Sequence, residues 1–216
     1  MIAPAGVADA GVFVGRLLRL DPRSVVRLRP STEGTGLAEL WGMVPFGVLV
    51  MRTVAAAGPV ADRTVDAQAL LASLGDPAAP GPRARDEQWR WPLPPSRGHA
   101  VDTVPAAVFA QVAEAAARTL RTAATEGVGG RVAGERVVRD TLLDHVPIEV
   151  TGDGGERVDV PQRMVQAVVR MGFLGPSEAI TASNNMVTVR LATGWIGLDA
   201  SYGSAWYRPS SPLRLA

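Results

Sequence analysis

Apolar and polar residues recur along the chain with two different periods, which together predict a mixture of helices and strands. Residues 7–20 place apolar side chains at helical spacing. Residues 37–54 carry two apolar runs separated by Pro45 and Gly47, residue types that tight turns favour. The same reasoning predicts helices over 7–20, 65–74, 106–126, 134–145 and 161–171, and strands over 26–29, 37–44, 48–54, 148–151, 156–160, 186–191, 195–198 and 202–208.

Composition changes between residues 76 and 105, where Pro, Gly and Arg are frequent. We expect a partly ordered connector there, between an N-terminal unit (1–75) and a C-terminal unit (106–216). The connector contains Trp89 and Trp91, which indicates an extended segment with buried rings. The predicted fold class is α+β, with a small helix and hairpin unit joined by this segment to a helix-hairpin-helix-hairpin unit.

Two segments stand out, RWPLPP at residues 90–95 and VPQRMVQAVVRMGFLG at residues 160–175. They resemble stretches of uncharacterised actinobacterial (high-GC) proteins. The resemblance implies a source and no known activity or site residues. Codon bias of a high-GC genome agrees with the basic residues, because all 22 of them are arginine.

Several classes of chemistry are excluded by composition. The chain has no Cys, only two His and no Lys, which excludes disulfides, zinc–thiolate sites, a three-histidine centre and lysine Schiff bases. We therefore expect no metal and no cofactor, and a non-enzymatic protein. The net charge of +1 and the absence of a long apolar run predict a cytoplasmic protein without a membrane partner.

Nucleic acid is the first partner that the residue pattern favours. Gln162, Gln166 and Arg170 recur at helical spacing with Arg163 beside them, and Gln and Arg are the residue types that read adenine and guanine. A second group of arginines lies near the N-terminus and could contact phosphate. It consists of Arg16, Arg19, Arg23, Arg27 and Arg29. An ordinary solvated surface remains the alternative for both groups. The predicted nucleic-acid-binding residues are Gln162, Arg163, Gln166, Arg170, Arg16, Arg19, Arg23 and Arg27.

A protein partner or a second copy of the chain is the first alternative. Trp89, Arg90 and Trp91 form the predicted partner-binding segment, because Trp and Arg dominate interface hot spots. Rings that merely close the seam between the two halves would explain the same residues.

A small-molecule-binding protein or an enzyme with a carboxylate or Ser/His site is the second alternative. The glycine-rich segment 127–134 could cradle a phosphate or could simply connect two helices. Ser201 or Ser204 could meet His145 or His99 in a catalytic pair. The sequence favours a binding or regulatory module over a small-molecule-binding protein and over an enzyme.

Overall fold

Antiparallel sheets and helices form both parts of the chain, so the predicted α+β class is confirmed. The computed structural model describes residues 2–76, 81–95, 98–126 and 135–209. Backbone contacts divide the chain into unit 1, Met1–Leu93, and unit 2, Pro94–Ala216. The sequence-based boundaries at residues 75 and 105 stay predictions.

Unit 1 contains one four-stranded antiparallel sheet with the order β4-β1-β2-β3. The predicted hairpin is confirmed, because Val44 pairs with Val48 and the Gly47 N–H donates to the Val44 carbonyl at 3.0 Å. Gly47 has a φ of 78°, a conformation that glycine adopts at no steric cost. The elements are α1 (Pro4–Leu20), β1 (Val25–Pro30), β2 (Leu37–Val44), β3 (Val48–Ala55), β4 (Arg63–Asp66), α2 (Ala67–Gly75) and one turn of 3-10 helix (Asp86–Gln88).

Close packing of α1 against the sheet forms the core of unit 1. Phe13 and Leu17 are fully buried on the inner side of the helix. A Cβ atom at Gly42 of β2 would lie 2.7 Å from a methyl group of Leu17, so the glycine makes room for that side chain. Helix α2 packs against α1 and completes the helical layer.

In unit 2, four antiparallel strands pair in the order β10-β9-β8-β5, and β6 and β7 form a separate hairpin. Helix α3 packs against α4 and α5. None of the helices in the described ranges is long and apolar enough to cross a membrane. The elements are β5 (His99–Pro105), α3 (Ala106–Glu126), α4 (Glu135–Asp144), β6 (Ile148–Thr151), β7 (Arg157–Val160), α5 (Gln162–Arg170), α6 (Ser177–Ile180), β8 (Met186–Ala192), β9 (Trp195–Ala200) and β10 (Gly203–Tyr207).

Three elements differ from the sequence-based prediction. Residues 65 and 66 belong to β4 rather than to the helix predicted over 65–74, because Val65 pairs with Val26 of β1. The Asp66 side chain then caps α2 by accepting a hydrogen bond from the Ala69 N–H at 2.8 Å. Strand β5 and the short helix α6 were not predicted, and β5 lies inside the segment that we expected to be a connector.

Candidate functional site

A cavity of about 360 Å³ opens in unit 1 beside the turn that joins β2 to β3. It lies where α1 ends, β1 begins and the tryptophan-containing segment passes. Two of the predicted site residues, Arg23 and Trp91, line it. The full lining is Asp21, Arg23, Ser24, Val25, Met43, Val44, Pro45, Gly47, Gln88 and Trp91.

The loop between α1 and β1 is fixed by its own hydrogen bonds. The Asp21 N–H makes the last i to i−4 hydrogen bond of α1, to the Leu17 carbonyl at 3.0 Å, and the extended backbone of Asp21 (φ −146°, ψ 110°) ends the helix. The Asp21 carboxylate accepts from the Arg23 N–H at 2.9 Å, and the Asp21 carbonyl accepts from the Ser24 N–H at 3.1 Å. This local turn, which Asp favours, sets the positions of Arg23 and Ser24 at the cavity.

The cavity lining combines apolar side chains and polar groups in similar proportion. Met43, Pro45 and Trp91 contribute large apolar surfaces, while Arg23 is exposed. Ser24 is 6% exposed, and its hydroxyl oxygen is buried without a hydrogen-bond partner in the described structure. A buried polar atom without a partner is costly to the folded state.

The predicted partner-binding segment is held by ring contacts. The Trp89 and Trp91 rings meet edge to face, with centroids 5.3 Å apart and an interplanar angle of 84°. The Trp89 indole N–H donates to the Trp91 carbonyl at 2.6 Å. Both rings are half-buried, and Arg90 between them is exposed. The segment thus keeps aromatic surface open to solvent.

The N-terminal arginines do not form one cluster. Arg27 and Arg29 both reach the Asp62 carboxylate, with nitrogen–oxygen distances of 2.7 and 3.2 Å, which partly neutralises them. Arg16 and Arg19 lie on α1. Burial and the positive charges of Arg19 and Arg52 lower the pKa of Arg16 from its ordinary value. Arg52 is in turn paired with Asp9 of α1, at a nitrogen–oxygen distance of 2.6 Å.

Three of the four residues on the predicted recognition face of α5 are buried or half-buried. Gln162 is only 3% exposed, and it begins the helix with its N–H donating to the His145 carbonyl at 2.7 Å. Arg163 is paired with Asp144, and its guanidinium carbon lies 5.1 Å from the centroid of the Tyr207 ring. Gln166 is half-buried and accepts a hydrogen bond from Arg170 at 3.3 Å. Arg170 is the one exposed residue of the predicted four.

The residues considered for catalysis have other partners. The Ser201 hydroxyl donates to the Asn185 side chain at 3.0 Å, and the buried Ser204 hydroxyl accepts from the Trp206 indole at 2.9 Å. His99 pairs with Glu156 at 2.9 Å. Within the described ranges, neither serine is hydrogen-bonded to a histidine. The glycine-rich segment 127–134 lies outside the described residues.

Two protein-family models match the chain. Residues 93–212 match the model described as "Domain of unknown function (DUF8185)". The chain belongs to this family. Residues 1–91 match a second model, "Domain of unknown function (DUF8010)". No curated protein matches the sequence.

Solved structures of bacterial DNA polymerase clamps share the fold of this DUF8185 family member. A putative DNA polymerase III beta subunit from Eubacterium rectale matches 98% of this chain and 65% of its own, at 9% identity and a TM-score of 0.57. The DNA polymerase sliding clamp from Caulobacter crescentus matches 96% and 66%, at 9% identity and a TM-score of 0.53. The beta subunit from Thermotoga maritima matches 97% and 65%, at 10% identity and a TM-score of 0.52.

The chain therefore spans slightly less than two thirds of the length of these clamp proteins. The TM-scores above 0.5 show that the fold is shared. At an identity near one tenth, no site residue can be transferred from one protein to the other.

Three functional candidates were missed by sequence reasoning. Ser24 and Met43 join the cavity only because the start of β1 and the end of β2 lie at the same end of the sheet. Asp62 has no sequence motif around it, and it gains its partner Arg27 from 35 positions away. The Pro45 and Gly47 turn was the one local signal that pointed to this region.

Proposed function

We propose that this chain is a non-enzymatic binding module with a sliding-clamp fold, which docks a short segment of a partner protein in the unit 1 cavity. The observation that carries the proposal is the cavity itself, whose wall includes Trp91 of the predicted partner-binding segment. A cytoplasmic location and an actinobacterial origin remain predictions from the sequence.

The size and chemistry of the cavity fit an apolar anchor side chain. Its volume of about 360 Å³ falls at the lower end of the range for small binding sites. Trp and Arg are the residue types that contribute most to binding at interfaces, and Trp91 and Arg23 both line the cavity. These features support an extended peptide with one large apolar side chain.

Selection from a displayed library of random dodecapeptides tests the proposal. We expect the purified chain to enrich peptides that share an apolar anchor. Their affinity should fall at least about tenfold in Met43→Asp and in Trp91→Ala, because a hot-spot contact is worth about 2 kcal/mol or more. Val12→Asp is the matched control, since Val12 is an apolar residue of unit 1 that is 47% exposed and does not line the cavity.

Peptides whose affinity is the same for Met43→Asp and for the wild type would place binding elsewhere. Failure to enrich any sequence over Met43→Asp used as bait would refute the docking site. Circular dichroism of each variant separates loss of binding from loss of the fold.

Nucleic-acid binding is the second candidate function, and the grouping of Arg16, Arg19 and Arg52 supports it. Burial lowers the pKa of Arg16, and the positive charges of Arg19 and Arg52 lower it further, although Arg52 is itself paired with Asp9 at 2.6 Å. Arginines grouped in this way favour phosphate. The structures with the same fold are named as DNA polymerase subunits, which makes duplex DNA the natural first probe.

Fluorescence anisotropy with a labelled random duplex at two salt concentrations tests this second function. We expect binding that weakens as salt rises, with a smaller salt slope in the Arg16→Gln, Arg19→Gln double variant. Arg118→Gln is the control, because Arg118 is also an exposed helical arginine and is paired with Glu114. If the double variant and Arg118→Gln bind the duplex with equal affinity, a role for the α1 arginines is refuted.

A further inference from the structure

We propose that Arg27 and Asp62 are positioning residues, which hold the Trp91 wall of the unit 1 cavity in place through the ring of Trp89. The inference rests on the proposed docking function and names what sets the shape of the site. Neither Arg27 nor Asp62 lines the cavity, so their effect on binding would be indirect.

The first link is the ion pair between Asp62 and Arg27. The Arg27 guanidinium donates two hydrogen bonds to the carboxylate, from Nε at 2.7 Å and from Nη2 at 3.0 Å. This two-point contact fixes the plane of the guanidinium as well as its location. Arg29 also approaches Asp62, at 3.2 Å, and adds charge without that geometry.

The second link is the contact between Arg27 and Trp89. The guanidinium carbon lies 5.8 Å from the centroid of the Trp89 ring, within the range of a cation–π interaction. The indole N–H of Trp89 donates to the Trp91 carbonyl at 2.6 Å, and the two rings meet edge to face. A shift of Trp89 would therefore displace both the backbone and the ring of Trp91.

Among the described residues, the backbone contacts that join this segment to the sheet lie before Trp89. The Arg85 N–H donates to the Thr64 carbonyl at 2.7 Å, and the Thr64 N–H donates to the Asp86 carboxylate at 2.5 Å. An isolated bridge also pairs Ala84 with Val65. Past residue 88, the contact between Arg27 of β1 and the Trp89 ring also joins the segment to the sheet of unit 1. That pair is placed where it can govern the wall of the cavity.

Acrylamide quenching of tryptophan fluorescence measures the wall directly and needs no ligand. Trp41, Trp195 and Trp206 are buried, so quenching reports mainly on the half-buried Trp89 and Trp91. We expect the quenching constant to rise in Arg27→Gln and in Asp62→Asn under conditions in which circular dichroism shows each variant to be folded. Arg29→Gln is the matched control, because it removes a charge beside Asp62 without a contact to Trp89, and it should leave quenching unchanged.

Peptide affinity gives the second readout, with the anchor peptides selected above as probes. Arg27→Gln should weaken them about three- to fivefold, the factor that a solvent-accessible cation–π contact supplies. Arg27→Lys keeps the charge but cannot make the two-point contact, so it should fall between Arg27→Gln and the wild type.

The two readouts separate the failure of this inference from the failure of the docking function. If no peptide is selected but quenching rises in Arg27→Gln and not in Arg29→Gln, the docking function fails and the positioning of Trp91 stands. If peptides bind and neither their affinity nor quenching changes in Arg27→Gln and Asp62→Asn, the positioning inference is overturned alone. Asp62→Asn, at an exposed residue, keeps the test available should Arg27→Gln unfold.

Discussion

Helix α1 offers two glycine-to-alanine substitutions for which the structure predicts opposite signs. A Cβ atom at Gly6 would lie 2.9 Å from the Ala55 nitrogen and closer still to the Ala55 carbonyl oxygen. Both atoms belong to the backbone of β3, which the Ala3 N–H also contacts through the Ala55 carbonyl at 3.0 Å. A Cβ atom at Gly11 would have no other atom within 4 Å.

The expected sizes follow from these surroundings. Gly11→Ala should raise the free energy of unfolding by about 0.8–1 kcal/mol, the difference in helix propensity between the two residues. In a chain of this size that corresponds to an increase in Tm of about 2–4 °C. Gly6→Ala gains at most the same propensity but forces α1 away from β3, at a cost of about 1–3 kcal/mol or more for overpacking. We expect a net loss of about 1–2 kcal/mol.

Urea unfolding followed by circular dichroism at 222 nm, with thermal melts alongside, measures both variants against the wild type. The slope m should be unchanged, so that the midpoint reports stability. Equal stability of Gly6→Ala and Gly11→Ala would refute the close approach of α1 to β3. A destabilised Gly11→Ala would refute the open surroundings of that position.

Three further predictions concern single side chains. Because Arg27 lowers the pKa of Asp62, the ion pair stabilises the fold at neutral pH, so the difference in unfolding free energy between wild type and Asp62→Asn should shrink as pH falls below about 4. Asn185→Ala should cost about 2–3 kcal/mol in urea unfolding, because two carbonyls lose their donor. Gly197→Ala, whose Cβ would lie 2.6 Å from the Trp206 ring, should lower stability by about 1–3 kcal/mol and alter near-ultraviolet circular dichroism.

Local sequence was sufficient for most of the helices and hairpins. The predicted bounds match the structure for the helix from 106 to 126 and for the strand from 37 to 44. Apolar periodicity is strong in both elements, and turn residues flank them. The capping role of Asp66 could also have been read from the sequence, since Asp is a preferred N-cap residue. Local steric and hydrogen-bonding preferences act over a few residues and are visible in the chain itself.

Strands β4 and β5 could not be predicted in this way. Strand β4 has four residues and is defined by pairing with β1, while most residues of β5 are exposed, so no apolar alternation marks it. Strand β5 pairs with β8, which lies far along the chain. Such strands exist because a distant partner supplies their hydrogen bonds.

The candidate site shows the same division. Helical spacing placed Gln162 on a polar face with Arg170, and the tertiary structure buried it, because spacing defines a face without saying which neighbour covers it. The density of arginines near the N-terminus was evident in the sequence, as was the importance of Trp89 and Trp91. Only the folded sheet could bring Asp62 to Arg27 across 35 positions, since strand pairing, and not sequence spacing, decides which side chains meet.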